Sequence, residues 1–138
     1  MAAPRFWREI MNRYNLIGTK CGNCNKIMFP PRYICPHCRR MGKLEPFKLS
    51  RRGKIVTYSI VRVGAGGLEE QVPYVLAIVE LDDGPRLTTQ IADCNPEEVK
   101  IDDEVELAFR RLGEDGKDGV IYYGFKFKRI NKSQVAQL

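Results

Sequence analysis

Four cysteines fall into two pairs, Cys21–Gly22–Asn23–Cys24 and Cys35–Pro36–His37–Cys38, with ten residues between the pairs. A C-x2-C turn aims two thiolates at one point. Two such turns, opposed across a small hairpin, complete the tetrahedron that a structural zinc ion prefers. The surrounding segment has too few apolar residues to fold by burial alone. Coordination would hold it together, a contribution of about 10–16 kcal/mol apparent in zinc-finger peptides. Iron in a rubredoxin-like site uses the same four ligands, and the red colour of an iron protein separates the two. With all four positions filled by sulfur, the ion has no open site for substrate, so one structural ion is expected rather than a catalytic one.

The remaining nucleophiles and bases do not assemble into a catalytic set. His37 is the only histidine and sits inside the second cysteine turn. It could displace Cys38 as a ligand, but four thiolates satisfy the metal and His37 reads as an exposed bystander. Cys94 has no other histidine to activate it and reads as a small buried residue. No G-x-S-x-G, phosphate loop or dinucleotide fingerprint is present. Asp82, Asp83, Asp102 and Asp103 read as turn and surface residues. No catalytic residue is expected, and the chain reads as something other than an enzyme acting alone.

The elements that must position these residues follow from pattern. Pro4 followed by Phe6, Trp7, Ile10, Met11 and Tyr14 predicts an amphipathic helix within residues 1–18, stopped by Gly18. Residues 19–46 form the metal ribbon, with two brief strands at Ile27–Phe29 and Tyr33–Ile34 joined across Pro30–Pro31, and MGKLEPFKLS as a connector. From residue 47 to 130 the texture is β. RRGKIVTYSIVRV places Val56, Tyr58 and Ile60 on one face, YVLAIVEL is almost continuously apolar, and Asp83–Gly84 marks a tight turn into RLTTQI. Asn95–Pro96–Glu97–Glu98 is a helix start that must end quickly. Val105, Leu107 and Phe109 then alternate with polar residues, and Ile121, Tyr123, Phe125 and Phe127 share a side. Five strands with a short helix between the third and fourth match an OB-fold barrel; strand count alone would leave an SH3-like barrel open. The fold class is therefore mostly β: an N-terminal helix, a rubredoxin-like zinc ribbon and a five-stranded OB-fold barrel, with residues 131–138 as a frayed tail.

Charge is divided along the chain. Residues 1–62 carry fourteen Lys or Arg against Glu9 and Glu45, a balance of +12, whereas residues 63–138 carry nine against fifteen Asp or Glu, a balance of −6. The front half suits a polyanion, the phosphates of a coenzyme or an acidic protein face. Arg32, Arg39, Arg40, Arg51 and Arg52 are the candidate cations, and Phe6, Trp7 and Met11 the candidate aromatic and apolar anchors for a partner protein. Nucleic acid is the alternative partner, with Tyr58, Tyr122 and Tyr123 for stacking and Lys126 and Lys128 beside them. Against it stand Glu69, Glu70, Glu114, Asp115 and Asp118, acidic residues in the loops that would border such a groove. The N-terminus lacks an apolar run of signal-peptide length and no stretch is long enough to span a membrane, so a cytoplasmic protein is expected.

The run Cys21-x-x-Cys24, Phe29-Pro30-Pro31-Arg32, Cys35-Pro36-x-Cys38 resembles a microbial family of zinc-ribbon plus OB-fold proteins associated with thiolases and other acyl-CoA enzymes. Gly53–Tyr58, Tyr74–Leu81, Asp83–Leu87 and Phe125-Lys126-Phe127 continue the resemblance over nearly the whole chain. Asn25 stands where a glycine is expected, and Asp102–Asp103 occupies a turn where the family usually has glycine. The resemblance implies a non-catalytic role as an accessory subunit. In archaea the family is similar to a subunit joining acetoacetyl-CoA thiolase to hydroxymethylglutaryl-CoA synthase, with coenzyme A or an acyl-CoA close by.

Overall fold

The computed structural model describes residues 3–66, 68–114 and 117–130, with only the backbone at residues 3, 5 and 6. The expected tail, 131–138, lies outside the described residues. The N-terminal helix is broken in two, α1 (Ala3–Arg8) and α2 (Ile10–Asn15), around Glu9 at φ −103° and ψ 8°. Gly18 does not end it. Leu16 does, in the left-handed conformation (φ 52°), with its backbone N–H donating to the Asn12 carbonyl. Leu16 is completely buried, so packing holds a branched residue where glycine would be easier. Gly18 is instead a strand residue, because another backbone passes close beside it.

A three-stranded antiparallel sheet in the order β2-β1-β3 carries the ribbon: β1 (Ile17–Cys21), β2 (Ile27–Met28) and β3 (Leu44–Lys48). The ribbon departs from the expected strands at two places. Tyr33–Ile34 is not a strand, and both side chains are exposed. The third strand comes from the expected connector, pairing Cys21 with Leu44 and Ile17 with Lys48. Pro46 hid it, yet an edge strand tolerates proline because one side of its backbone needs no partner.

Five strands close the barrel: β4 (Arg52–Val61), β5 (Tyr74–Leu81), β6 (Arg86–Ala92), β7 (Glu104–Glu114) and β8 (Ile121–Arg129), in the order β4-β5-β6-β8-β7. β4 pairs antiparallel with β7, and β6 pairs parallel with β8 through Ile91 and Phe127, which is the OB-fold arrangement. The expected short helix is a single 3₁₀ turn, Pro96–Glu98, capped by the Asn95 side chain accepting from the Glu97 N–H at 3.3 Å. Asp102 takes a left-handed conformation (φ 69°), and the Asp103 carboxylate accepts from the Lys100 N–H at 2.9 Å, so aspartates build this turn without glycine.

Two strand faces differ from the simple alternation. A bulge at Val56 shifts the β4 register, so Gly53 and Ile55 point inward before it and Tyr58 and Ile60 pack on the core after it. Along β7 the inward positions are Val105 and Ala108, and Phe109 is half exposed, stacked on Tyr123 at 5.6 Å and met edge-on by Tyr14 at 4.9 Å. On β8 the buried positions are Gly124 and Phe127, while Ile121 and Tyr123 stay partly exposed. Ile55, Val75, Val79, Val105 and Phe127 form the centre, joined by Leu16 and Leu49 from the approach to the barrel. Phe29 of the ribbon packs edge-on against Phe125 at 5.6 Å, so ribbon and barrel share one apolar cluster.

Candidate metal centre and the surfaces around it

The two cysteine turns are built alike. In the first, the Asn25 N–H donates to the Cys21 carbonyl at 2.8 Å; in the second, the Arg39 N–H donates to the Cys35 carbonyl at 2.8 Å. Asn25 (φ 59°) and Arg39 (φ 51°) both take the left-handed conformation that closes such a turn. Asparagine adopts it at little cost, whereas arginine is held there against its preference. β1 delivers Cys21 and its pairing with β3 returns the chain from the second turn, so the two turns face each other.

The four sulfurs lie within 4.8 Å of one another. A tetrahedral zinc with Zn–S bonds of about 2.3 Å requires sulfur–sulfur separations of about 3.8 Å. The Cys24–Cys35 separation of 3.6 Å and the Cys21–Cys38 separation of 4.0 Å bracket that value. The thiol chemistry points the same way. The Cys24 backbone N–H, opposed by burial and aided by the N–H groups of Asn23 and Lys43, brings Cys21 down to about 6. For Cys24 the Lys26 N–H pulls the other way, but burial and the sulfurs of Cys38, Cys21 and Cys35 prevail and push it up to about 12. Four sulfurs this close cannot all become thiolates without a cation among them, and a divalent ion supplies it. His37 is exposed, with Nδ1 3.8 Å from the Cys38 sulfur, outside the four-sulfur set. The Asn23 side-chain amide lies closer, donating to the same sulfur at 3.3 Å.

The other sequence-derived candidates occupy separate places. Arg32, Arg39, Arg40, Arg51 and Arg52 are all exposed. Arg39 and Arg40 follow the second cysteine turn, whereas Arg51 and Arg52 lie beyond the opposite end of β3, which runs from Leu44 beside Cys21 to Lys48 beside Ile17. Five extended residues separate the two groups by roughly 16 Å. The Arg32 backbone N–H is held by the Thr19 hydroxyl at 3.2 Å, placing it beside the middle of β1. Trp7 and Met11 are exposed by 72% and 63%; the Phe6 side chain lies outside the described residues. Cys94 is half-buried and its thiol is pushed up by burial. Of the residues considered for base stacking, Tyr123 lies against Phe109, and Lys128 pairs with Glu106 at 3.3 Å. No helix among the described residues is long and apolar enough to cross a membrane.

Sequence reasoning missed a groove of about 540 Å³ between α2, the Phe29–Pro31 turn and the barrel. Its apolar walls are Phe29, Pro30, Pro31, Leu76, Leu112 and Phe125. These residues are scattered along the sequence, and only the barrel's closure and the ribbon's docking bring them together. The Phe29-Pro30-Pro31 run was the one local sign, and nothing in it specifies a cavity.

Comparison with known proteins gives a consistent result. Residues 8–42 match the family "ChsH2, rubredoxin-like zinc ribbon domain" and residues 48–110 the family "ChsH2, C-terminal OB-fold domain". The chain is 56% identical over 126 residues to a DUF35 domain-containing scaffold protein of Methanocaldococcus jannaschii, covering 91% of this chain and 89% of the relative. It is 33% identical over 115 residues to the benzoylsuccinyl-CoA thiolase subunit BbsA of Thauera aromatica, covering 83% and 76%. Among solved structures, a chain of an "Ltp2-ChsH2(DUF35) aldolase" superposes with a TM-score of 0.68 at 26% identity, covering 90% of both chains. The zinc-ribbon match agrees with the sulfur geometry, and the four-cysteine set fits one structural zinc ion.

Proposed function

Because this chain belongs to the ChsH2/DUF35 family of zinc-ribbon and OB-fold proteins, we propose that it is a non-catalytic accessory subunit of a thiolase-type acyl-CoA enzyme. The observation that carries this reading is the set of large apolar side chains left uncovered on a chain this small. Trp7 and Met11 project from the helices, and Tyr33, Ile34 and Met41 from the ribbon, with Tyr33 97% exposed. A contact centred on aromatic and methionine side chains and rimmed by arginines has the composition of a protein interface. Arg32, Arg39 and Arg40 provide such a rim around Tyr33 and Ile34, and no ion pair engages them among the described residues.

The relatives favour this class of partner. One is named a scaffold protein and another a thiolase subunit. A finer reading follows: the subunit bridges acetoacetyl-CoA thiolase and hydroxymethylglutaryl-CoA synthase, and the arginines Arg32, Arg39, Arg40, Arg51 and Arg52 meet an acidic partner face or the phosphates of coenzyme A. The zinc, held by Cys21, Cys24, Cys35 and Cys38, cross-links the ribbon and, with its positions filled by sulfur, leaves no place for substrate. In this reading the chain contributes position rather than chemistry.

The test is a tagged pull-down from native cytosol at moderate salt with nuclease treatment, followed by mass spectrometry. Stoichiometric recovery of a thiolase- or synthase-type enzyme that survives nuclease is the expected result. Recovery of nucleic-acid-binding proteins that disappear with nuclease would overturn the reading.

A further inference from the structure

The outer face of an OB barrel at its second and third strands is where this fold commonly takes ligands. Here that face is formed by β5 and β6. Val75, Ala77, Leu87 and Ile91 point into the core, so the intervening Leu76, Thr88 and Gln90 point outward. Instead of an open cationic surface, the face is walled. α2 contributes Asn12 and Arg13 to one rim, and the ribbon lays Phe29, Pro30 and Pro31 across it. The enclosed volume of about 540 Å³ lies within the range of about 300–1,000 Å³ usual for small-molecule sites.

Besides Arg13 on the helical rim, one cation lines this groove from the barrel side. Lys126 lines both the groove and an adjoining polar pocket of about 390 Å³ that also contains Tyr74, Gln90, Asp93, Arg110 and Arg111. Its ammonium donates to the Gln71 side-chain carbonyl at 3.3 Å, and no carboxylate pairs with it among the described residues. Its neighbours are otherwise engaged: Arg110 pairs with Asp93, and Arg111 pairs with Glu114 at 2.7 Å. Half-burial, then the charge of Arg110, lowers the lysine below its ordinary value, and the charge of Asp93 opposes them. A half-buried ammonium with one neutral partner is incompletely satisfied, and an anion would complete it. The one acid on the groove, Glu9, lies on the helical rim, its carboxylate accepting from the Asn12 amide at 2.8 Å.

We infer that this groove binds an amphipathic small molecule, an apolar chain ending in an anionic group, with the chain against Phe29, Leu76, Leu112 and Phe125 and the head on Lys126. This site is separate from the exposed side chains assigned above to the partner enzyme, and its occupation does not depend on that assignment.

The test uses the zinc-loaded full chain, labelled with ¹⁵N and titrated with octanoate and with octyl phosphate; acetate serves as the chain control and octylammonium as the charge control. Both octyl anions are expected to shift the amides of Leu76, Gln90, Gly124 and Lys126, and their relative affinity tells a carboxylate head from a phosphate. Acetate and octylammonium are expected to leave those amides in place. Lys126→Gln should weaken binding about ten-fold or more, as loss of a charge-assisted contact does. Thr88→Trp, which fills the groove from an exposed position, should abolish it while keeping the free spectrum native. Octylammonium binding as well as octanoate, or shifts confined to other surfaces, would each overturn the inference.

Discussion

Replacing Gly18 with alanine tests how the ribbon is fastened to the barrel. An alanine Cβ at this position would lie 2.3 Å from the Met28 carbonyl oxygen, 3.3 Å from its carbon and 3.4 Å from a Leu49 methyl. A carbon–oxygen contact needs roughly 3.2 Å or more, so β2 must retreat by about 1 Å. That motion strains the pairing of Thr19 with Met28 and of Lys20 with Ile27, worth about 0.5–1.5 kcal/mol for each hydrogen bond lost. It also pulls on Phe29, the next residue, whose edge-on contact with Phe125 is worth about 0.5–1.5 kcal/mol beyond burial. Against this, alanine restricts the unfolded chain and returns about 0.4–1 kcal/mol. The net expectation is a destabilisation of about 2 kcal/mol, measured by urea denaturation of the zinc-loaded protein. The zinc content should stay at one equivalent, because the cysteine turns do not include Gly18. Gly66→Ala is the control, since nothing lies within 4 Å of its Cβ, and it should change stability by less than about 0.5 kcal/mol. A Gly18→Ala protein as stable as the control would refute the close approach of β1 and β2.

Three further outcomes follow from the metal centre. Cys35→Ser should take the zinc content from one equivalent to none at moderate chelator concentration and unfold the ribbon, while the barrel strands keep their β-type circular dichroism; a variant that retains zinc would show that three sulfurs suffice. Arg39→Gly should stabilise the zinc-loaded protein by about 0.5–1 kcal/mol, because glycine adopts φ 51° without the penalty a side chain meets there. Asn25→Gly should gain less, since asparagine already tolerates that conformation, and urea midpoints of the two variants compare them directly; equal gains would mean that the two turns are not equivalent in the way their shared hydrogen bonds suggest.

The metal centre was legible in the sequence because its four cysteines lie within eighteen residues of one another and their spacing by itself specifies a four-thiolate site. The barrel was legible too: turn residues punctuate strands whose alternation reads locally, and the Asn95-Pro96 cap marked the 3₁₀ turn that the structure contains. The strand faces were harder. The bulge at Val56 inserts one residue into β4, and a single insertion moves every later side chain to the other face, so Ile55 could not be recognised as core from period alone. Leu44–Lys48 was hidden by Pro46, which only the edge position of β3 makes acceptable. Gly18 looked like a helix stop, whereas a backbone oxygen from a strand ten residues away is what demands glycine there. Sequence determined those features whose cause is local: ligand spacing, turns and strand propensity. Tertiary structure alone decided those that depend on what arrives from elsewhere in the chain: the third ribbon strand, the exposure of Phe109, and the groove in which Phe29, Leu76, Leu112 and Phe125 converge on Lys126.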